Sequence, residues 1–397
     1  MNLLKQSPKG RVFVYLFVLI MGLGTSCQKK QNEAPQPTAP APAPTPTNPS
    51  ECITKASANN GQEIQGQYII KYKAMSTMAT NSLPAFIKKA GIPEKLFSKI
   101  YAGQFHAAVA KLNYEQLQSI KKDENVESVE PDRIVSITSC ATVQPSQSTP
   151  WGVERVGGVG DGTGKTIWII DTGVDLQHPD LNIDAARCVS FISGSTPNDD
   201  HGHGTHVAGI IAAKNNGIGV VGVAANATIV ALKVMDGSGS GSSSTVMQGV
   251  NYVAQHGKPG DVVNMSVGGD VSEVLDQAVR DAASKGILFA IAAGNEHTDA
   301  SNSSPARVNT TNVYTVSAIN NQDEFATFSN YGAAVDYAAP GVNITSTYKG
   351  QSYATMSGTS MATPHLAGLL LLKGRNIITD GFAKDDPDGK ADPIAHK

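Results

Sequence analysis

A surplus of basic residues is what this sequence most clearly lacks. Lys and Arg number 31 against 34 Asp and Glu, a net charge of -3 at pH 7, whereas a nucleic-acid binder normally carries a basic excess to meet phosphate. No block of like charges and no internal repeat appears, so nothing points to a charged tail or a repeat array. Long apolar runs are missing too. The stretch from Val12 to Leu23, about 12 residues, rises only ~18 Å as a helix against a ~30 Å hydrocarbon core, too short for a membrane span. Cysteine is scarce, with four residues in 397, so no dense disulfide scaffold holds the fold. What is present, 40% apolar and 16% charged, suffices for one large core plus a small accessory domain.

The N-terminus carries export chemistry. Lys5, Lys9 and Arg11 precede the apolar stretch, and Gly24, Thr25 and Ser26 precede Cys27, the order of a cleaved signal peptide. In that setting Cys27 resembles the lipidated new N-terminus of a bacterial lipoprotein, which implies a signal over residues 1–26 and a precursor held on the cell envelope. Gly24 stands where that family more often has Leu, so plain secretion stays open. Cys52, Cys140 and Cys188 remain after the signal, and an odd number leaves at least one unpaired within the chain. From Ala34 to Ser50 the sequence APQPTAPAPAPTPTNPS fixes φ at each Pro and offers nothing to a core, so residues 27–64 read as an extended tether.

Residues 65–139 read as a small α+β domain. GQYIIKYK forms a strand and KIYAGQFHAAVA another. NYEQLQSIKKDENVESVEPD forms a helix capped by Asn113, with Leu117 and Ile120 inward, leading to a short strand. About 70 residues fold alone only marginally.

From Trp151 onward apolar runs (TIWIID, ATIVALKVM, DVVNMSV, GILFAIA, VYTVSAI) alternate with helical stretches at 203–214, 244–256, 271–285 and 359–373. This is the pattern of an α/β fold with a mostly parallel sheet covered on both faces. Sites in such folds gather at the carboxyl ends of the strands, and Asp171 ends the first run. A serine hydroxyl needs a base within reach and a carboxylate to hold that base in the right tautomer. Ser360 in SGTSMATPHLAG, His203 in DDHGHGTHVAG and Asp171 in WIIDTGVD supply the three. Ser360 opens a helix among small residues, so its backbone N–H is one candidate oxyanion donor. Asn295 in AIAAGNE is the candidate side-chain donor.

These motifs, in the order Asp, His, Asn, Ser, resemble the subtilisin-like serine proteases, nearest the proteinase K branch, over about Trp151 to Gly374. The stretch FHAAVAKLNYEQLQSIKKDENVESVEPD resembles the inhibitor-type propeptide of the same proteases. The resemblance implies a three-layer subtilisin-like fold at 140–397 behind a ferredoxin-like propeptide. It also implies an exported endopeptidase made as a self-processed zymogen and cut near Ser139 to Gln144, with its own propeptide as inhibitor. Extended polypeptides would be the substrates, gripped between Gly239-Ser240-Gly241 and Ser266-Val267-Gly268, with Ala293-Gly294 lining the pocket for the residue before the scissile bond. Asp336, with the carbonyls of Thr311 and Val313, matches a structural calcium site of the family. No catalytic metal and no nucleic-acid partner is implied, and the enzyme is expected to be a monomer. The loop Glu296 to Ala306 departs from the proteinase K pattern, which leaves the primary specificity open.

Three other readings compete. His201, His203 and His206 have the spacing of a zinc cluster, but nothing else in the chain supplies the remaining ligands and their support. GGVGDGTGKT (157–166) approaches a phosphate-binding loop, but Val159 stands at the required Gly and a strand follows where a helix is needed. A protease fold kept only as a binding module would not need Asp171, His203, Asn295 and Ser360 together.

Overall fold

The structure, a computed structural model, describes residues 59–73, 93–101, 106–136, 141–143 and 148–397. The signal, Cys27, Cys52 and Cys140, most of the tether, and residues 137–140 and 144–147 of the expected processing segment lie outside the described residues.

The small domain pairs β1 (Glu63–Tyr72), β2 (Phe97–Tyr101), β3 (Ala107–Lys111) and β4 (Val126–Ser136) antiparallel in the order β4-β1-β3-β2. The segment expected as one strand over KIYAGQFHAAVA is two, because Tyr101 pairs with Ala107 across a hairpin. Asn113 caps α1 (Tyr114–Lys121) in a capping box with Gln116. Strand side chains alternate faces. Ile70, Ala108 and Ala110 pack under Leu117 and Ile120 of the helix, whereas Ile69, Ala107 and Val109 join a core of the large domain. Burial of both faces explains why the HAAVA run is apolar without alternation. β1 begins two residues before the expected boundary at 65, and the turn before it is tied in by Gly61 N–H donating to the Ile134 carbonyl at 2.8 Å.

The short β5 (Ala141–Val143) follows, and then the large domain. Its elements in chain order are α2 (Trp151–Arg155), β6 (Thr166–Asp171), β7 (Val189–Ser190), α3 (His203–Ala212), β8 (Thr228–Lys233), β9 (Ser240–Ser242), α4 (Ser243–His256), β10 (Val262–Met265), α5 (Glu273–Ala283), β11 (Leu288–Ala292), β12 (Val313–Ile319), β13 (Tyr337–Pro340), β14 (Ile344–Tyr348), β15 (Ser352–Met356), α6 (Thr359–Lys373), β16 (Ile378–Phe382) and β17 (Pro393–His396). Nine strands form one sheet in the order β16-β17-β13-β12-β11-β10-β6-β8-β7. All neighbours run parallel except the β16–β17 hairpin at one edge. Alternation along β6 divides the core. Ile167 and Ile169 face the layer holding α3 and α6, and Trp168 and Ile170 face the layer holding α4 and α5. Helices on both faces make the three-layer fold that a parallel sheet requires.

Candidate active site

Asp171 is the last residue of β6, and β10 runs beside it with Met265 opposite Ile170, so Ser266 comes next to Asp171 at the carboxyl edge. Neighbouring strands lie ~4.8 Å apart, and this edge is where the site assembles. Asp171 is fully buried and takes His203 Nδ1 at 2.8 and 3.0 Å on its two oxygens. The Thr172 N–H donates to Oδ1 at 2.7 Å.

His203 opens α3. Asp199 fixes that opening, with Oδ1 accepting from the His201 and Gly202 N–H groups and Oδ2 from Thr205 N–H and its hydroxyl. Gly202 has φ 110° and would drive a side chain into the Tyr348 ring, so only glycine fits there. His203 Nε2 is buried and has no hydrogen-bond partner among the described residues.

Ser360 is the second residue of α6, after Gly358 and Thr359. Its hydroxyl points to the Ser266 carbonyl at 3.4 Å and not to His203. No hydrogen bond joins Ser360 to His203, and catalytic contacts of this kind commonly tighten only on substrate binding. Ser266 Oγ in turn donates to the Ser360 carbonyl at 3.0 Å.

Asn295 follows β11 and anchors through its amide oxygen, which accepts from Thr359 N–H at 2.8 Å and from the Thr359 hydroxyl at 3.0 Å. Asn295 and Ser360 line one cavity. The same cavity, about 90 Å³, is walled by Ser266, Val267, Gly268, Ala293 and Gly294. Gly294 sits at φ 106°, and a Cβ there would strike the Asn330 amide. Asn330 is buried and holds the loop, donating to Ala293 O and Glu296 Oε2 and accepting from the Glu296 and Thr298 N–H groups. Sequence reading passed over Asn330 and Asp199. Asn330 bonds to residues more than 30 positions away, and Asp199 bonds mainly within its own loop, where the sequence shows only a polar residue inside a motif.

Of the two segments expected to bind substrate, the first has Gly239 in the turn before β9 and Ser240 and Gly241 within it. The last residues of β4 occupy the groove: Ser136 pairs with Ser240, Val135 with Gly241, and Ile134 with Ser242, and Ser136 also bridges antiparallel to Gly268. Asn60 reaches the same place, its side-chain oxygen accepting from Ser136 N–H at 2.9 Å. Two β4 carboxylates meet helix N-termini of the large domain. Asp132 accepts from Ser244 N–H in α4, and Glu130 accepts from Ser272 Oγ ahead of α5. Burial pushes Glu130 up to about 7 and raises Asp132 as well.

The other expected residues lie apart. His206 shares its Nε2–H between the Ile344 and Ala354 carbonyls, and burial lowers its pKa to about 3, so it acts as a strut. Asp336 accepts from Thr315 N–H at 2.8 Å at the start of β13, where burial raises it to about 6. A second carboxylate was not foreseen: Asp180 is fully buried, with Oδ2 accepting from Val220 N–H and Tyr353 OH. Among the described residues no helix is long and apolar enough to cross a membrane.

Comparison with known proteins identifies the families of both domains. Residues 162–376 match the subtilase family, and residues 67–138 match the peptidase inhibitor I9 family. The chain is 39% identical over 328 residues to alkaline serine protease ver112 of Corniculantispora psalliotae, covering 79% of this chain and 81% of that one. It is 38% identical over 346 residues to subtilisin E of Bacillus subtilis (strain 168), covering 83% and 86%. The crystal structure of a cold adapted subtilisin-like serine proteinase superposes with a TM-score of 0.55 at 36% identity, covering 62% of this chain and 98% of that chain. The chain therefore belongs to the subtilase family of serine endopeptidases and carries an inhibitor I9 propeptide ahead of its peptidase domain.

Proposed function

We propose that Asp171, His203 and Ser360 are the catalytic triad of this endopeptidase, that Asn295 and the Ser360 N–H form its oxyanion hole, and that the chain is a zymogen cut by its own active site. The observation that carries the reading is the seating of Ser136 between Ser240 and Gly268, on the cavity lined by Ser360.

Substrate adds a strand to β9 and the Ser266–Gly268 edge, so that main-chain bonds give affinity for any extended peptide. The Ser360 hydroxyl swings from the Ser266 carbonyl to the unpartnered His203 Nε2, which takes its proton as Oγ attacks the carbonyl carbon. Asp171 keeps the Nδ1–H tautomer and stabilises the imidazolium. The oxyanion accepts from Ser360 N–H, a first-turn donor with no intrahelical acceptor, and from Asn295 Nδ2. His203 then returns the proton to the leaving amine, and water releases the acyl group through the same relay.

The maturation cut falls between the two paired ends, Ser136 in the groove and Ala141, which lies opposite Met356 of β15 just before Ser360. The mature peptidase then starts near residue 140. Cys27 stays with the removed part, so the lipid anchors the precursor at the cell envelope and processing frees a soluble monomer. Structural calcium fits two carboxylates, Asp336 with the Thr311 and Val313 carbonyls, and Asp180 beside Asn216. A fully buried carboxylate, as at Asp180, favours a hard cation.

Labelling with a serine-directed fluorophosphonate tests the triad. The adduct is expected on Ser360 and is expected to vanish in His203→Ala; a folded, processed enzyme that takes no label would be a binding module and would overturn the reading.

A further inference from the structure

Lys233 ends β8 directly opposite Asp171 and is fully buried. The strand TIVALK is otherwise apolar at its buried positions, and an ammonium group taken out of water is costly unless it is well paired. Its two partners lie on the two segments that carry the acid and the base. Nζ donates to the Thr172 carbonyl at 2.6 Å and to Asp200 Oδ1 at 2.6 Å. Thr172 follows Asp171 and bonds its carboxylate through N–H. Asp200 stands three residues before His203, and its own carbonyl is held by Lys349 Nζ. A second tie runs parallel to the first: Thr172 Oγ1 donates to Asp199 Oδ1 and accepts from Gly204 N–H.

We propose that Lys233 is a positioning residue for the Asp171–His203 pair, its ammonium group locking the turn after the carboxylate to the loop before the imidazole. The role rests on the triad assigned above. The Thr172–Asp199 tie fixes the two segments by neutral and anionic hydrogen bonds near the backbone of α3. Lys233 adds a charged clamp on the opposite end of Thr172, so the residue is held at N–H, hydroxyl and carbonyl together. Small displacements of a base from its nucleophile lower turnover strongly, and substrate affinity set by main-chain pairing at β9 is left alone.

Two variants test this on the full, self-processed chain: Lys233→Met, which keeps length and loses the clamp, and Asp200→Ala, which cuts the clamp at its half-exposed end and spares the core. Active sites are first titrated with a fluorophosphonate; absence of wild-type label on Ser360 would sink the triad assignment itself, not this role. Expected is a fall in kcat of about 10- to 100-fold for Lys233→Met and a smaller fall for Asp200→Ala, with KM within about twofold. The low-field proton signal of the His203 Nδ1–H should shift or broaden in both. Unchanged kcat per titrated site together with an unchanged low-field signal would overturn the proposal, as would a KM effect without a kcat effect. If Lys233→Met does not fold, Asp200→Ala decides alone by the same readings.

Discussion

Pro364 stands four residues after Ser360 in α6, and the N–H it lacks is the one that would have closed on the Ser360 carbonyl. A proline inside a helix removes an i to i-4 bond, and here the freed carbonyl accepts instead from Ser266 Oγ at 3.0 Å. Ser360, the proposed nucleophile, is thereby tied to the strand edge proposed to receive substrate. This coupling predicts that Ser266→Ala destabilises the fold by about 1–3 kcal/mol, the cost of a buried unpaired carbonyl, and that Pro364→Ala added to it restores much of the loss. Thermal unfolding in an inactive Ser360→Ala background measures both, and additive losses in the double variant would contradict the coupling.

Asn295 is held by its oxygen on Thr359 and is the side-chain oxyanion donor proposed above. Asn295→Leu should therefore lower kcat by about 10²–10³ with little change in KM, the magnitude known for loss of such a donor in a subtilisin. A comparable loss confined to KM would assign Asn295 to substrate binding.

Release of the propeptide should depend on pH. Burial at the interface, with Asp276 nearby, raises Glu130 from 4.5 to about 7, so the bound state takes up a proton. A raised pKa contributes stability that is complete below the ordinary value and is lost as pH rises through the shifted one. The cut complex should hold tightly near pH 5 and release active enzyme faster near pH 8, by roughly tenfold or more. Glu130→Gln, neutral at both values, should flatten much of the dependence; an opposite slope in the time course of appearing activity would refute it.

Calcium should raise the thermal midpoint of the mature enzyme through oxygen ligands at buried carboxylates. The full burial of the Asp180 carboxylate predicts that Asp180→Asn removes most of the calcium-dependent shift, with Asp336→Asn removing less. Equal shifts in wild type and both variants would leave neither carboxylate as a ligand.

Motif and period made much of this legible in sequence. The strands ending at Asp171 and Ala292, the helices opening at His203 and Thr359, and the capped helix after Asn113 all follow from local patterns. What escaped depends on partners distant in the chain. β4 runs 11 residues because it pairs with β1 on one side and β9 on the other, although Pro131 and its charges read as a weak strand. The hairpin β16–β17 is polar and turn-rich, and it is added to the sheet edge by contacts such as Lys397 N–H on the Val156 carbonyl. Asn330, Asn60 and the buried Lys233 likewise act only once the chain has brought remote segments together.

The most direct test of a triad acting on its own propeptide is the intact mass and N-terminal sequence of the wild-type protein beside Ser360→Ala, each expressed alone. The wild type should begin within residues 137–141 and be soluble, while Ser360→Ala should keep the whole propeptide and the lipid on Cys27. A Ser360→Ala protein processed to the wild-type N-terminus would contradict self-cleavage.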